Sequence, residues 1–342
     1  MRISKTHIIL FFTSLLLLLN SCTKVCPCED LEEKNGLTYS KKTHELFTGI
    51  CESTIADVKK RIPYKEGKLH GYLKTWYLDG KLLSVVSFKD GERNDWSISY
   101  YKNNQKKRED RFLEGQKHGV SQAWYASGRL KYRGEYSHGK KIGVHREWFE
   151  NGKLKEIVNY DKGKENGDWQ VWFDDGDIKR KGKFKKGHKE GKWMVWYDND
   201  KPKVEQKYKE GYPDGKWINW YPNGKKAKEG VYKYGDKEGE WKEWFKSGKL
   251  KKKAVYKKNQ QNGAYKIWYE NGNLKEEGFY RDGYREGACT FYYENGKKSF
   301  VKIYKKGKPK KEEWIQQSFF KKQKQAQKNH TSKDTIKEIP VF

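Results

Sequence analysis

Glycine returns on a 24-residue clock through most of this chain. Gly119, Gly143, Gly167 and Gly191 belong to a series that runs from Gly71 to Gly287, with Asp95 filling its only gap. Nine residues after each first marker comes a second, as at Gly152, Gly176, Gly224, Gly248 and Gly272; eleven residues later comes a third, as at Gly163 and Gly187. No insertion or deletion breaks the register over residues 71–307. A period this regular is the signature of a repeat architecture, in which each unit buries its apolar face only against its neighbours.

Aromatic residues keep the same time. Trp172, Trp196, Trp220, Trp244 and Trp268 each stand five residues after a first marker, and each is followed at once by Tyr or Phe. A further aromatic closes the return half of every unit, for example Phe184, Tyr208 and Tyr232. In one unit, Gly215-Lys-Trp-Ile-Asn-Trp-Tyr-Pro-Asn-Gly224, the first run ends on Asn-Gly, and a second run ending at Tyr232 alternates with Lys and Glu. Asn-Gly between two strand-like runs is the strongest short hairpin signal, because a type I′ turn needs two residues at positive φ. Where a second or third marker is not Gly it is Asn104, Asp200 or Asn259, the residue types that best tolerate the left-handed conformation. Each unit therefore reads as a β-hairpin turned at its second marker, and the third-marker turn passes the chain to the next hairpin.

Strand parity puts Trp217 and Trp220 on opposite faces, so both faces carry aromatics. An isolated hairpin is marginal, and stability must come from stacking. The expected fold is all-β: an elongated, twisted, single-layer antiparallel β-meander of about ten 24-residue hairpin repeats. Composition agrees. Hydrophobic residues make up 34% and charged residues 35%, which alone would suggest disorder, but 14 Trp and 24 Tyr supply an aromatic core. Pro202 occupies a strand position, where a local bend or bulge is expected because Pro cannot donate to the ladder.

The N-terminus follows a different logic. Arg2 and Lys5 precede an apolar run over 8–19, too short to cross a bilayer, for which about 20 residues are needed. Ser21-Cys22 directly after it resembles the lipobox of bacterial lipoprotein signal peptides. That resemblance implies cleavage before Cys22, lipidation of Cys22, and an anchor made of lipid. With Thr23 and Lys24 next rather than an acidic residue, it also implies delivery to the outer membrane of the cell envelope. In an exported chain disulfides persist. Cys26-Pro27-Cys28 is too tight to bridge itself, which leaves Cys51 as the partner for Cys26 or Cys28; no His lies close enough in sequence to favour a metal site. The domain reading is a signal peptide at 1–21, a tether at 22–36, a degenerate opening repeat or cap at 37–70, ten repeats over 71–307, and a basic tail at 308–342 that forms a short helix from Glu312 and then becomes disordered.

The recurring pattern Gly-x-Trp-x-x-Trp-Tyr-x-Asn-Gly-Lys-Leu-Lys, with Tyr-x-x-Gly-Lys-x-x-Gly after it, resembles the MORN repeat variant, which in bacteria often carries a YwqK-type antitoxin label. The stretch 239–250, Gly-Glu-Trp-Lys-Glu-Trp-Phe-Lys-Ser-Gly-Lys-Leu, is one instance. The resemblance implies an interaction scaffold, with lipid-headgroup contact or self-association as uses. An antitoxin-type partner role sits poorly with an export signal, since antitoxins act in the cytosol.

No catalytic set is legible: there is no nucleophile elbow, Walker loop or zinc-protease motif. Asp174, Asp175 and Asp177 surround a turn and read as turn formers before they read as calcium ligands. His70, His118 and His188 fall at connecting turns and read as solvated residues. No cofactor and no metal are expected. The remaining signal is a net charge of +29, with basic clusters at 179–189, 249–258 and 305–311 interleaved with aromatics. Alone this would suggest nucleic acid, but export makes nucleic acid an unexpected partner. The expected partners are an envelope protein, an anionic lipid or a glycan, with self-association as a further use, and Trp172, Trp196, Trp220, Trp244 and Trp268 are the candidate binding surface. Lys as a solubilising cover for the sheet is the plain alternative. The functional expectation is a non-catalytic envelope scaffold, with a glycan- or wall-binding module as the alternative.

Overall fold

Two kinds of turn build the protein, and they are not interchangeable. In the computed structural model, which describes residues 24–314, Lys233 pairs with Asp236 across Tyr234 and Gly235, both left-handed at φ 49° and 90°. This two-residue I′ loop stands at the third marker, and it recurs with Lys162-Gly163, Lys186-Gly187 and Lys258-Asn259. At the second marker only Gly224 is left-handed; Asn223 is not. There the Gly224 N–H donates to the Tyr221 carbonyl (2.9 Å) and the Tyr221 N–H to the Lys225 carbonyl (2.8 Å), which encloses a three-residue loop with Gly as its bulge. The sequence reading put the I′ turn at Asn223-Gly224, and the structure moves it. Asn223 acts through its side chain instead: its oxygen accepts from the Lys225 N–H (3.0 Å) and its amide donates to the Lys246 carbonyl of the next repeat (2.8 Å).

The chain divides into two compact units after Gln116. In the second, Gly119–Trp124 begins a strict antiparallel succession in which each strand pairs with the next, through Asp236–Trp244 and Leu250–Lys257 to Lys308–Trp314. The fold is an all-β meander of hairpin repeats. Neighbouring repeats are joined along both rims. At the I′ rim, the Gly235 N–H donates to the Pro213 carbonyl 22 residues back (2.8 Å), and the Asp214 carboxylate accepts from the Tyr234 N–H. At the other rim, Tyr221 donates to the Trp244 carbonyl (2.8 Å) beside the Asn223 bond.

The first marker has a third role. Register passes from Glu229↔Lys242 to Val231↔Glu238, so Gly239, Glu240 and Trp241 face the single residue Gly230. Gly239 at φ 67° makes this bulge possible, and a bulge bends its strand and sharpens the twist. Asp95, which fills the gap in the marker series, is left-handed too, at φ 70°. Pro202 causes no bulge of its own. It opens the strand Pro202–Lys209, where a missing N–H is tolerated, and the shift beside it recurs in every full repeat of this unit.

The first unit opens differently. Gly49–Ile55 and Val58–Lys65 form a hairpin, and Val25–Pro27 lies parallel along Gly49–Ile55 as its outer neighbour. Leu31–Lys34 and Leu37–Ser40 make a separate two-stranded sheet. The segment 22–36, read from sequence as a tether, is therefore structured from Val25 onward. A Cys28–Cys51 disulfide and an otherwise unpaired strand edge hold it in place. At the other end, the backbone groups of Lys298–Lys305 are paired by Lys308–Trp314, a strand where the sequence reading ended the array at Gly307 and began a helix at Glu312. The segment read from sequence as a signal peptide, Cys22 and the tail beyond 314 lie outside the described residues.

Candidate interaction surface

From His145 to Tyr265 the bulge lays one ring of each outgoing strand inward over its neighbours. Trp241 meets Tyr232 of the preceding hairpin (ring centroids 5.0 Å, edge-on) and Tyr256 of its own (6.2 Å), and is 3% exposed. Two repeats earlier Trp193 meets Phe184 at 5.0 Å and Tyr208 at 6.0 Å, and is 5% exposed. Edge-on pairs of this kind contribute about 0.5–1.5 kcal/mol each beyond the area they bury. Together they form an aromatic ladder along one face. In the last repeats it becomes a cluster of Ala254, Tyr265 and Cys289 packed by Tyr280 and Phe291.

The ladder alternates with a period of two repeats. Trp193 and Trp241 lie against Gly182 and Gly230, and the same place in earlier and later repeats is held by Gly134 under His145 and Gly278 under Cys289. Between them the position carries Val158, Gln206 or Ala254. The indole N–H of Trp169 bonds Glu156 (2.6 Å) and that of Trp217 bonds Asn219 (3.0 Å). Those of Trp193 and Trp241 are buried without a partner among the described residues. His145, 2% exposed, accepts at Nδ1 from the Tyr132 hydroxyl (2.7 Å) and donates from Nε2 to the Glu135 carbonyl (3.0 Å), and burial pushes its pKa down.

Cations cap the same positions. The Lys237 ammonium sits 4.9 Å from the Trp241 ring and 5.2 Å from the Tyr256 ring. Lys189 lies at 4.6 Å from Trp193 and 4.9 Å from Tyr208, and Lys141 at 4.7 Å from Tyr160. None of these three ammoniums is paired with a carboxylate among the described residues. Burial depresses the Lys189 pKa, with Arg180 adding to the effect. Arg285 occupies the same place later, over Tyr304 at 5.3 Å, but it is bonded to Glu276. Sequence reading missed this row because it counted charge rather than register. The 48-residue spacing of Lys141, Lys189, Lys237 and Arg285 was nevertheless present in the chain.

Trp172, Trp196, Trp220, Trp244 and Trp268, singled out from sequence, lie on the opposite face. Each is half-buried. Each pairs across its hairpin with the first residue of the return strand: Trp172 with Ile178, Trp244 with Leu250, Trp268 with Leu274. They are spaced by two strands, about 10 Å. The charges around them are partly matched: Glu240 takes Lys253 at 2.6 Å and Lys242 at 3.0 Å, and those hydrogen bonds hold its carboxyl below the usual range. Lys192–Glu205 (3.1 Å) and Lys266–Glu277 (2.9 Å) do the same in other repeats. Exposed pairs like these contribute little stability, and Lys181, Lys183 and Lys207 share this face, so it stays basic. Gly152, Gly176, Gly224, Gly248 and Gly272 are all left-handed and close the rim nearest these tryptophans.

The histidines do not assemble into a ligand set. His118 and His138 lie edge-on at 5.2 Å and His70 bonds Asp90 at 3.2 Å, and no group of three or more potential metal ligands occurs among the described residues. At the acidic turn, repulsion from Asp200 and then Asp175 pushes the Asp177 carboxyl up.

A family model described as the MORN repeat variant matches residues 69–90, 117–138, 141–162, 189–210, 213–234, 237–258, 261–282 and 285–306. The windows that would fall at 93–114 and 165–186 are unmatched, yet both fold as the same hairpins. No curated protein matches the chain. Among solved structures, a Photorhabdus luminescens Tc holotoxin pore aligns over 78% of this chain and 15% of its own, at 12% identity and TM-score 0.17. A TcdB2-TccC3-Cdc42 crystal structure aligns over 73% and 18%, at 9% identity and TM-score 0.18. The chain thus spans less than a fifth of either structure's length, and scores this low carry no argument about it.

Proposed function

Because this chain belongs to the MORN repeat variant family, we propose that it is a non-catalytic, lipid-anchored scaffold of the cell envelope whose sheet contacts anionic lipid or an acidic protein surface. The observation that carries this reading is the row of unneutralised ammoniums at Lys141, Lys189 and Lys237. Each is held over aromatic rings, and successive sites from Lys141 to Lys189 to Lys237 are four strands apart. Four strands span about 19 Å. A cation fixed in place by rings and lacking a carboxylate partner loses little on meeting an anion, whereas a paired lysine must first give up its partner.

Vesicle co-sedimentation tests it, with phosphatidylglycerol-containing vesicles against purely zwitterionic ones. Each lysine near an anionic surface contributes about 1 kcal/mol, so the triple variant Lys141→Gln, Lys189→Gln, Lys237→Gln loses on the order of 100-fold in affinity. Unchanged binding to anionic vesicles by the folded triple variant would remove the lipid arm of the proposal. The anchor has its own test. Cys22→Ala leaves the membrane fraction and yields no acylated N-terminal peptide; retention in the membrane would count against lipidation.

The tryptophan row favours a second reading, a glycan-binding face. Half-buried rings repeated at about 10 Å are a stacking platform for a linear sugar polymer. Saturable glycan binding that disappears in a Trp220→Ala, Trp244→Ala double variant would replace the scaffold reading with this one.

A further inference from the structure

Cys51 has two cysteines beside it, and only one of them is bonded to it. Cys28 holds it through the disulfide, with Cα atoms 4.9 Å apart. Cys26 is its direct register partner in the parallel pair of Val25–Pro27 with Gly49–Ile55. Paired residues in adjacent strands lie about 4.8 Å apart and project to the same face of the sheet, inside the Cα range of about 4.4–6.8 Å that a disulfide needs. Cys26 is a free thiol.

We infer that Cys26, Cys28 and Cys51 form a thiol–disulfide exchange site in which Cys51 passes between two partners, Cys28 and Cys26. In the step, the Cys26 thiolate attacks the Cys51 Sγ and a Cys26–Cys51 bond forms. The Cys28–Cys51 bond breaks, its electron pair leaves on the Cys28 Sγ, and the proton given up by Cys26 is taken up at Cys28. No oxidant or reductant is consumed, because one disulfide and one thiol are present before and after.

Four further observations bear on it. The loops closed by the two bonds differ by two residues, with separations of 23 and 25, so chain entropy does not select one over the other. Cys51 is 1% exposed and shielded from outside thiols, while Cys26 and Cys28 are only half-buried. Exchange therefore changes which sulfur faces out. Cys28 borders a concavity of about 760 Å³ lined by Pro27, Glu29, Glu52, Ser53 and Lys59, so the released Cys28 thiol opens on a space that a small thiol or disulfide compound can enter. Burial, and then the Asp30 carboxylate, push the Cys26 thiol up against the opposing pull of Lys24. Little thiolate is present at neutral pH, and exchange quickens as pH rises.

The test maps bonds and free thiols in the full-length chain. After equilibration at pH 7, 8 and 9 the native protein is alkylated, digested with trypsin and fragmented. Cys26 and Cys28 fall on one peptide, 25–34, and cleavage before Pro27 separates them. The expected result is label on Cys26 in one population and on Cys28 in another. The approach to that mixture should speed up by about tenfold per pH unit while the thiol is mostly protonated. Cys289, fully buried, stays unlabelled and reports that the fold is intact. Label confined to Cys26 at every pH overturns the inference. As a second arm, folded Cys28→Ser in a glutathione buffer should close a Cys26–Cys51 bond; recovery of Cys51 without that bond overturns it independently.

Discussion

The indole of Trp241 lies directly on the Cα of Gly230, leaving no room for a methyl group between them. Gly230 is therefore a packing residue, while Gly239 nine positions on is a conformational one, left-handed with open space around it. Gly230→Ala must move a ring that is 3% exposed, an overpacking cost of about 1–3 kcal/mol. Gly239→Ala meets only the penalty for an L-residue at positive φ, about 1–2 kcal/mol. Urea unfolding followed by tryptophan fluorescence should show both destabilised. Only Gly230→Ala should also lose the near-ultraviolet signal of the ladder before global unfolding.

At the opposite rim, Asn223 and Tyr221 each tie one repeat to the next. Asn223→Ala removes a donor and an acceptor together, and Tyr221→Phe removes a single donor. With about 0.5–1.5 kcal/mol per hydrogen bond, the asparagine change should cost roughly twice as much. Hydrogen exchange provides a sharper check: the Lys225 amide loses protection in Asn223→Ala and keeps it in Tyr221→Phe.

His145 gives the second unit a dependence on acid. Its pKa is lowered by burial, so below the ordinary histidine value of about 6.5 the unfolded chain binds a proton that the folded chain refuses. Its contribution is complete above that value and declines as pH falls toward the depressed folded pKa. Urea midpoints measured between pH 7.5 and 5 should fall with acid, and the slope should shrink in His145→Gln. An unchanged slope would assign the effect to other groups.

Arg285 is bonded to the buried Glu276 carboxylate, to which Tyr265 also donates. Glu276 is the buried member, while Arg285 keeps 28% of its side chain exposed, so Arg285→Met should cost about 1.5–3 kcal/mol, the range of a hydrogen bond to a charged group. Adding Glu276→Gln should recover part of that loss. A double variant no more stable than the single would mean that Arg285 acts through its stacking on Tyr304 instead.

The period, the hairpins and the left-handed exceptions at Asn104, Asp200 and Asn259 were legible because each depends on local backbone chemistry. The assignment of turn types was not. Gly is left-handed in both kinds of turn, and what separates them is whether the residue before it is left-handed as well, which Tyr234 is and Asn223 is not. The placement of Trp172 and its equivalents on the face away from the ladder was half-legible. Parity separates Trp217 from Trp220, but the bulge that makes one face the packed one comes from pairing between repeats. The cation row escaped for a related reason. Lys237 is one lysine among many until the structure sets it between Trp241 and Tyr256.

The alternation of Gly182, Gln206, Gly230 and Ala254 beneath the ladder also governs how such an array can change length. Excising one repeat brings two glycine rows, or two rows with side chains, into adjacency, leaving a void in one case and a collision in the other. Excising two restores the order. The heritable unit of this molecule is thus a couplet of hairpins, and viable variants should gain or lose 48 residues at a time.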